Sequence, residues 1–329
     1  MALLDETESP LLSLSVIVPV FNEEAVLPEL RNRLSSALKA INAVHELVFV
    51  DDGSTDGSAE ILIGWTRADE NVVVVQLSRN FGMEIAMTAG LDHASGDYVV
   101  LMHADLQDPP ELIPEMLAAA AKGADVVYTR RIGRDESATK RMLATAFYEL
   151  MHRIARVPYQ GQAGDFRLMS RRVVDTMRSM PERRRFLRGM VAWVGFVQVP
   201  IEYHRADRAA GRGASYPQLF RLAFEALVSF SDAPLNLSIY LGILVAAVSG
   251  LGAIVILFLT VFGVVSLGWS VWILVSILFI GGVQLLTIGI LGRYLARIHE
   301  EALQRPLYLV NRVISKRARP ETHEPMQAR

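Results

Sequence analysis

Between Asp232 and Arg293 the chain carries no charged residue, and few features limit a fold more. A single helix over that stretch, at ~1.5 Å per residue, would far exceed the ~30 Å hydrocarbon core of a bilayer. The stretch is therefore expected to cross a membrane twice, at about 237–265 and 271–291. Ser266, Leu267, Gly268, Trp269 and Ser270 make the connecting turn, with Trp269 and Trp272 suited to an interface. A buried hairpin in a soluble protein is the alternative, but apolar runs of this length are rare outside lipid. Mean hydropathy is +0.29 for the whole chain. Arg293, Arg297, Arg305, Arg312, Lys316, Arg317 and Arg319 follow the second span, whereas the turn has no charge. Both chain ends are thus expected in the cytoplasm, on the inner membrane of a multi-pass protein. The spans contain no Asp, Glu, Lys, Arg or His, which argues against a transporter or flippase path. Gly281-Gly282 would allow close helix approach, and with it a homo-oligomer.

The N-terminal part has a different pattern. MALLDETESP at the start is acidic and lacks an apolar core, so no cleavable signal is expected. Apolar, β-branched runs at Leu14 to Val20, His45 to Val50, Val72 to Leu77, Tyr98 to Met102 and Asp125 to Thr129 alternate with helical stretches. That alternation predicts βαβ units and a doubly wound, mainly parallel α/β sheet. Asn22 is placed to cap a helix starting at Glu23. With no cysteine there is no disulfide framework. Neither a dinucleotide fingerprint nor a P-loop is present, so neither kind of site is expected; no nucleic-acid partner is expected.

Chemistry gathers where strands end. Tyr98 to Met102 runs into His103, Asp105, Gln107 and Asp108, and Pro109-Pro110 then starts a new helix. Carboxyl ends of buried strands are where open α/β sheets bind ligands. Oxygen and nitrogen donors at this spacing suit Mg²⁺ or Mn²⁺; a solvated acidic loop is the alternative. Asp51-Asp52-Gly53 ends another strand, with acidic side chains that can accept from a nucleoside. Asp165 and Arg167 share one side if Gly161 to Leu168 is extended. Arg183, Arg184, Arg185 and Arg188 lie among Phe186, Leu187, Met190 and Trp193, suggesting either a solvated helix face or a site for anionic head groups. Leu219, Phe220, Phe224, Leu227 and Phe230 recur at helical spacing, as in an interfacial helix.

Val18-Pro19-Val20-Phe21-Asn22-Glu23-Glu24, Val50-Asp51-Asp52-Gly53-Ser54-Thr55-Asp56, Leu77-Ser78-Arg79-Asn80-Phe81-Gly82, Ala104-Asp105-Leu106-Gln107-Asp108-Pro109-Pro110, Gly164-Asp165-Phe166-Arg167-Leu168 and Arg188-Gly189-Met190 occur in this order. Together they resemble the family 2 glycosyltransferases, in particular the polyprenyl-phosphate branch, over about residues 13 to 300. The resemblance implies a GT-A-type glycosyltransferase domain at 13–212, after a tail at 1–12. An amphipathic juxtamembrane helix at 213–234, two spans within 235–292 and a basic cytoplasmic segment at 293–329 complete the expected organisation.

Such enzymes move a hexose from a nucleotide-diphosphate sugar to the phosphate of a polyprenyl phosphate, with inversion and with Mg²⁺ or Mn²⁺. By resemblance, Pro19, Phe21, Glu23, Asp51, Asp52, Ala104 and Asp105 hold the donor. Asp105 and Gln107, with His103 replacing the usual first acid, fall on the metal positions. Arg131, Arg141 and Thr145 match the acceptor-phosphate positions; Arg212 stands near the place of a lysine that this chain lacks. Asp105, Asp165 and Arg131 are the implied catalytic residues. Two rivals remain at this level. A polysaccharide synthase would need more spans and a Gln-x-x-Arg-Trp element, neither of which is evident. A catalytically silent membrane scaffold is suggested only by His103.

Overall fold

The computed structural model describes residues 12–39, 41, 43–132, 163–183, 185–204, isolated positions within 240–262, and 269–316. The chain divides into two compact units. One comprises Met1–Arg141, Val157–Arg212 and Arg305–Arg329, the other Met142–Arg156 and Gly213–Gln304.

In the first unit the β-branched runs become strands: β1 (Ser13–Val20), β2 (Val44–Asp51), β3 (Val72–Leu77) and β4 (Tyr98–Leu101). They are buried over most of their length, as parallel strands covered on both faces must be. Four further strands, β5 (Val126–Ile132), β6 (Ala163–Ser170), β7 (Gln198–His204) and β8 (Val310–Ser315), extend them into an eight-stranded sheet of order β7-β5-β6-β4-β1-β2-β3-β8. Pairing is parallel throughout except that β6 runs against β4 and β5, and β8 against β3. The sheet is thus mixed α/β and mainly parallel, as expected. The reversed strand β8 was not anticipated, because its short VNRVIS run is half polar.

Side chains alternate across the pleat, so the sheet feeds two cores. Val16, Val18 and Val20 pack with Leu27, Leu30, Leu34, Leu62, Ile113 and Met116, from α1 (Leu27–Lys39), α2 (Ser58–Ala68) and α4 (Ile113–Ala121). Ile17, Val48 and Val50 pack on the other face with Met87, Val173, Met177, Leu187 and Met190, from α3 (Met83–His93), α5 (Arg171–Ser179) and α6 (Leu187–Val194). Helix α3 lies flush on β1: a Cβ at Gly90 would come within 2.2 Å of Ile17 Cγ2.

Two local expectations are corrected. The first helix begins at Leu27, not Glu23. Asn22 has a left-handed φ of 56°, and its Oδ1 accepts from Thr55 N at 2.8 Å instead of capping a helix. The stretch from Glu182 is helical only from Leu187. Before it, Arg185 Nη1 donates to the Met177 carbonyl at 2.8 Å and Nη2 to the Met180 carbonyl at 2.9 Å, capping the end of α5.

In the second unit, α7 (Trp269–Ala302) is a continuous helix of 34 residues, part of whose side chains lie outside those described. It covers the expected second span and continues past it. Among the described residues no helix is long and apolar enough to cross a membrane. The juxtamembrane helix expected at 213–234, and most of the first span, lie outside the described residues.

Candidate active site

Strand order reverses between β1 and β4: β2 and β3 lie to one side of β1, whereas β4 lies on the other. At such a switch point the connections diverge and leave a crevice beyond the carboxyl ends. Pro19, Phe21, Asp51, Asp52 and the loop after β4 all gather at this end.

Two buried carboxylates organise the donor-side tips. Asp51 is fully buried; its Oδ1 accepts from Ser54 N and its Oδ2 from Gln76 Nε2, each at 2.9 Å. Asp52 is 2% exposed and takes Phe81 N at 2.7 Å and Gly82 N at 2.9 Å. Burial pushes the Asp52 carboxyl upward, against those two backbone donors. Between these loops only glycine fits at position 53: φ is +71°, and a Cβ would lie 2.6 Å from the Arg79 carbonyl carbon. Asn22 N donates to Ser54 Oγ at 3.1 Å and Glu23 N to Ser58 Oγ at 2.9 Å. Glu24 Oε2 accepts from Gly57 N at 2.9 Å. The tip of β1 is thereby laced to the tip of β2, and Phe21 is left 43% exposed beside them.

The loop after β4 is held by Asp108. Its Oδ2 accepts from His103 N at 3.0 Å and lies 3.1 Å from His103 Nδ1, while its Oδ1 is 3.5 Å from Tyr203 Oη. His103 Nε2 faces Asp165 Oδ2 at 3.5 Å, an ion-pair distance longer than a good hydrogen bond. Burial alone would lower the imidazole pKa. Asp108, Asp165 and Asp105 outweigh it and hold His103 above the ordinary histidine value.

Asp165, on β6, is gripped by Arg188 through both oxygens, with Arg167 Nη2 3.8 Å away. Burial works against its charge, but Arg188, Arg167 and His103 prevail and hold the carboxyl at about 2. Glu84, at the start of α3, accepts from Leu187 N at 3.1 Å and so fixes the start of α6, next to Arg188. Burial and the neighbouring Asp165 push Glu84 upward.

The expected residues therefore divide. Pro19, Phe21, Glu23, Asp51, Asp52, His103, Ala104, Asp105, Gln107 and Asp165 lie in this first unit, on strands or in the loops that follow them. Asp105 Oδ1 accepts from Gln107 N at 3.1 Å, which shapes the turn where Leu106 adopts a φ of 60°. Arg131 lies in β5, with its side chain outside those described; Arg141, Thr145 and Arg212 lie outside the described residues altogether. Among the described residues no group of three or more His, Asp or Glu side chains is arranged to hold a metal. Sequence reasoning missed three members: Asp108 and Glu84 as anchors, and Arg188 as the counter-ion of Asp165. Arg188 is the second residue of α6, and its partner lies 23 residues away in the chain, so no local signal joins the two.

Comparison with known proteins bears on the family of the chain. The sequence profile described as Glycosyl transferase family 2 matches residues 15–178. The uncharacterized glycosyltransferase YkcC of Bacillus subtilis (strain 168) is 42% identical over 302 residues, which is 91% of this chain and 93% of YkcC. The bactoprenol glucosyl transferase of Shigella phage SfV is also 42% identical, over 91% of this chain and 98% of its own. Among solved structures, mannosyl-3-phosphoglycerate synthase from Rubrobacter xylanophilus is similar over 66% of this chain and 72% of its own, at 17% identity and a TM-score of 0.46. Identity of this degree along nearly the whole of two glycosyltransferases leaves one assignment: the chain belongs to glycosyl transferase family 2.

Proposed function

We propose that the protein transfers a hexose from a nucleotide-diphosphate sugar to the phosphate of a membrane polyprenyl phosphate, undecaprenyl phosphate being the expected lipid. The observation that carries this is the 42% identity to a bactoprenol glucosyl transferase over 98% of that protein's length. The same relative supports glucose as the hexose.

The acceptor needs little activation. A phosphate monoester with a second pKa of ~6 is largely a dianion in the cytoplasm, and one of its oxygens can attack the anomeric carbon directly. The new C–O bond forms as the bond to the nucleoside diphosphate breaks, with inversion. A carboxyl held at about 2 is a poor base, so Asp165 serves as a fixed, oriented acceptor for sugar hydroxyls. Arg188 and His103 keep it charged and aimed. Phe21 and the laced loops around Asp51 and Asp52 receive the nucleoside, with Pro19, Glu23 and Ala104 beside it.

The donor set fits a hard divalent ion held in part by substrate. Both His103 nitrogens face carboxylates, which leaves Asp105, with Gln107 next to it, to hold Mg²⁺ or Mn²⁺. Mg²⁺ sites of this kind use one or two carboxylates plus substrate phosphates, not an all-protein cage. When bound, the ion would neutralise charge developing on the leaving diphosphate. Arg131, Arg141, Thr145 and Arg212 are assigned to the acceptor phosphate.

Location at the inner membrane, with spans at 237–265 and 271–291 and the catalytic domain in the cytoplasm, rests on the charge-free stretch. The chain leaves the sheet at His204, opposite Ile132, and returns at Val310, opposite Leu77. Both junctions fall at the carboxyl-end face of the sheet. The test is purified protein with a panel of nucleotide sugars and undecaprenyl phosphate, with product read by mass. A polyprenyl-phosphate hexose is expected, and none from Asp105→Asn at an unchanged melting temperature. No product from the unaltered protein, or undiminished turnover by Asp105→Asn, overturns the assignment.

A further inference from the structure

Asp51, Gln76 and Arg312 stand in lateral register on β2, β3 and β8. Gln76 Oε1 accepts from Arg312 Nε at 2.7 Å, and Gln76 Nε2 donates to Asp51 Oδ2 at 2.9 Å. The other oxygen of Asp51 holds Ser54 N at 2.9 Å. An amide has one accepting and one donating end, a guanidinium can only donate, and a carboxylate can only accept. Arg312 therefore pins the carbonyl end of Gln76 outward and commits its NH₂ to Asp51. Asp51 is fully buried, so no water stands ready to replace that donor, and an unmet buried acceptor is costly.

We propose that Arg312 is a positioning residue for the nucleotide-sugar donor: through Gln76 and Asp51 it fixes the Gly53-Ser54 turn, against which the tip of β1 is laced through Asn22 N and Ser54 Oγ. This rests on the donor nucleoside lying at the tips of β1 and β2. Arg312 belongs to the strand that rejoins the sheet after the second unit, and the loop ahead of it is anchored by Tyr308 Oη donating to Asp92 at 2.7 Å. Donor affinity is thus tied to the docking of β8. A surface arginine with no such role would leave donor kinetics unchanged on removal.

Full-length protein, with UDP-glucose as donor and undecaprenyl phosphate as acceptor, separates the cases. Arg312→Ala raises the donor KM by about 3- to 10-fold, the scale of one hydrogen bond, while acceptor KM and kcat stay within about twofold and the melting temperature holds. Gln76→Ala does the same, and the double variant is no worse than Gln76→Ala alone, because the two residues act in series. Arg312→Lys, which also only donates, restores donor KM to within about twofold and serves if the alanine variant does not fold. Normal donor binding by the unaltered protein with an unchanged donor KM in Arg312→Ala overturns the relay alone. Additive single effects do the same, as does an equal rise in both KM values with loss of melting temperature. No UDP-glucose binding by the unaltered protein overturns the placement of the donor, and the relay with it.

Discussion

His103 stands where an acid would have added a third carboxylate to a pocket already holding Asp108 and Asp165. The surrounding negative charge raises its pKa against the pull of burial, and its two ring nitrogens face Asp108 and Asp165. In His103→Asp the new charge would face both neighbours with nothing between them. Like charges at ~4 Å repel by about 1 kcal/mol in water-like surroundings and about 4 kcal/mol near a protein surface. We expect His103→Asp and His103→Ala each to lower kcat by about tenfold or more and to reduce the melting temperature, with Asp the worse of the two. Steady-state rates beside thermal melts check this; a His103→Asp enzyme as active and as stable as the original would mean that a bound ion, not the imidazole, balances the pocket. The sequence pointed to this loop through its buried strand, its acids and its double proline. It could not show that His103 would face Asp165, which the antiparallel pairing of β4 and β6 brings alongside.

Elements are joined by a few polar clamps and close backbone approaches. Asp125, at the start of β5, is gripped by Arg172 of α5 and accepts from Val197 N and Ser170 Oγ, each at 3.2 Å. The Arg172 pairing comes first in holding its carboxyl below the usual range, outweighing its partial burial. A carboxyl depressed in the folded state adds stability above its unfolded value of ~3.9, and that stability is lost as pH falls through the folded value. Arg172 is largely exposed, so solvent screens the pair and the effect is modest. Asp125→Asn should therefore flatten the loss of melting temperature between about pH 5 and pH 3; an unchanged slope would remove Asp125 from the acid response. Two glycines make a sharper contrast. Gly90→Ala drives a methyl into Ile17 and should cost about 1–3 kcal/mol. Gly64→Ala, in α2 with nothing within 4 Å, should gain up to about 1 kcal/mol from helix propensity. Denaturant melts of the two variants moving in the same direction would contradict the close packing of α3 on β1. The strands up to β5 and helix α3 were legible, since their apolar runs are long and bounded by turn residues. The late start of α1 was not, because Asn22 and Glu24 look like helix-starting residues and are instead spent on the β2 tip, 33 residues away.

At the scale of the molecule, the edges of the sheet matter most. Strands β7 and β8 are its two outermost members, and the segment between them in sequence includes the whole charge-free stretch. Strand β7 ends and β8 begins at the carboxyl-end face of the sheet. The proposed transfer requires the segment at 266–270, whose last two residues open α7, to lie across the membrane from Asp105. The absence of native cysteine gives a clean background for the test. Cysteine introduced at Ser266 or Ser270 should react with an impermeant thiol reagent added to intact cells, whereas cysteine at Ser54 or Ser315 should react only after the membrane is opened. Ser315 ends β8, so it reports the side on which the returning strand docks, and Ser54 reports the donor tip. If Ser54 and Ser315 are labelled from outside while Ser266 and Ser270 are protected, the site faces away from the cytoplasmic nucleotide sugars and the proposed transfer cannot occur. If all four are protected until lysis, the charge-free stretch does not carry its turn across the bilayer, and the acceptor would have to reach the site by some route other than the membrane plane.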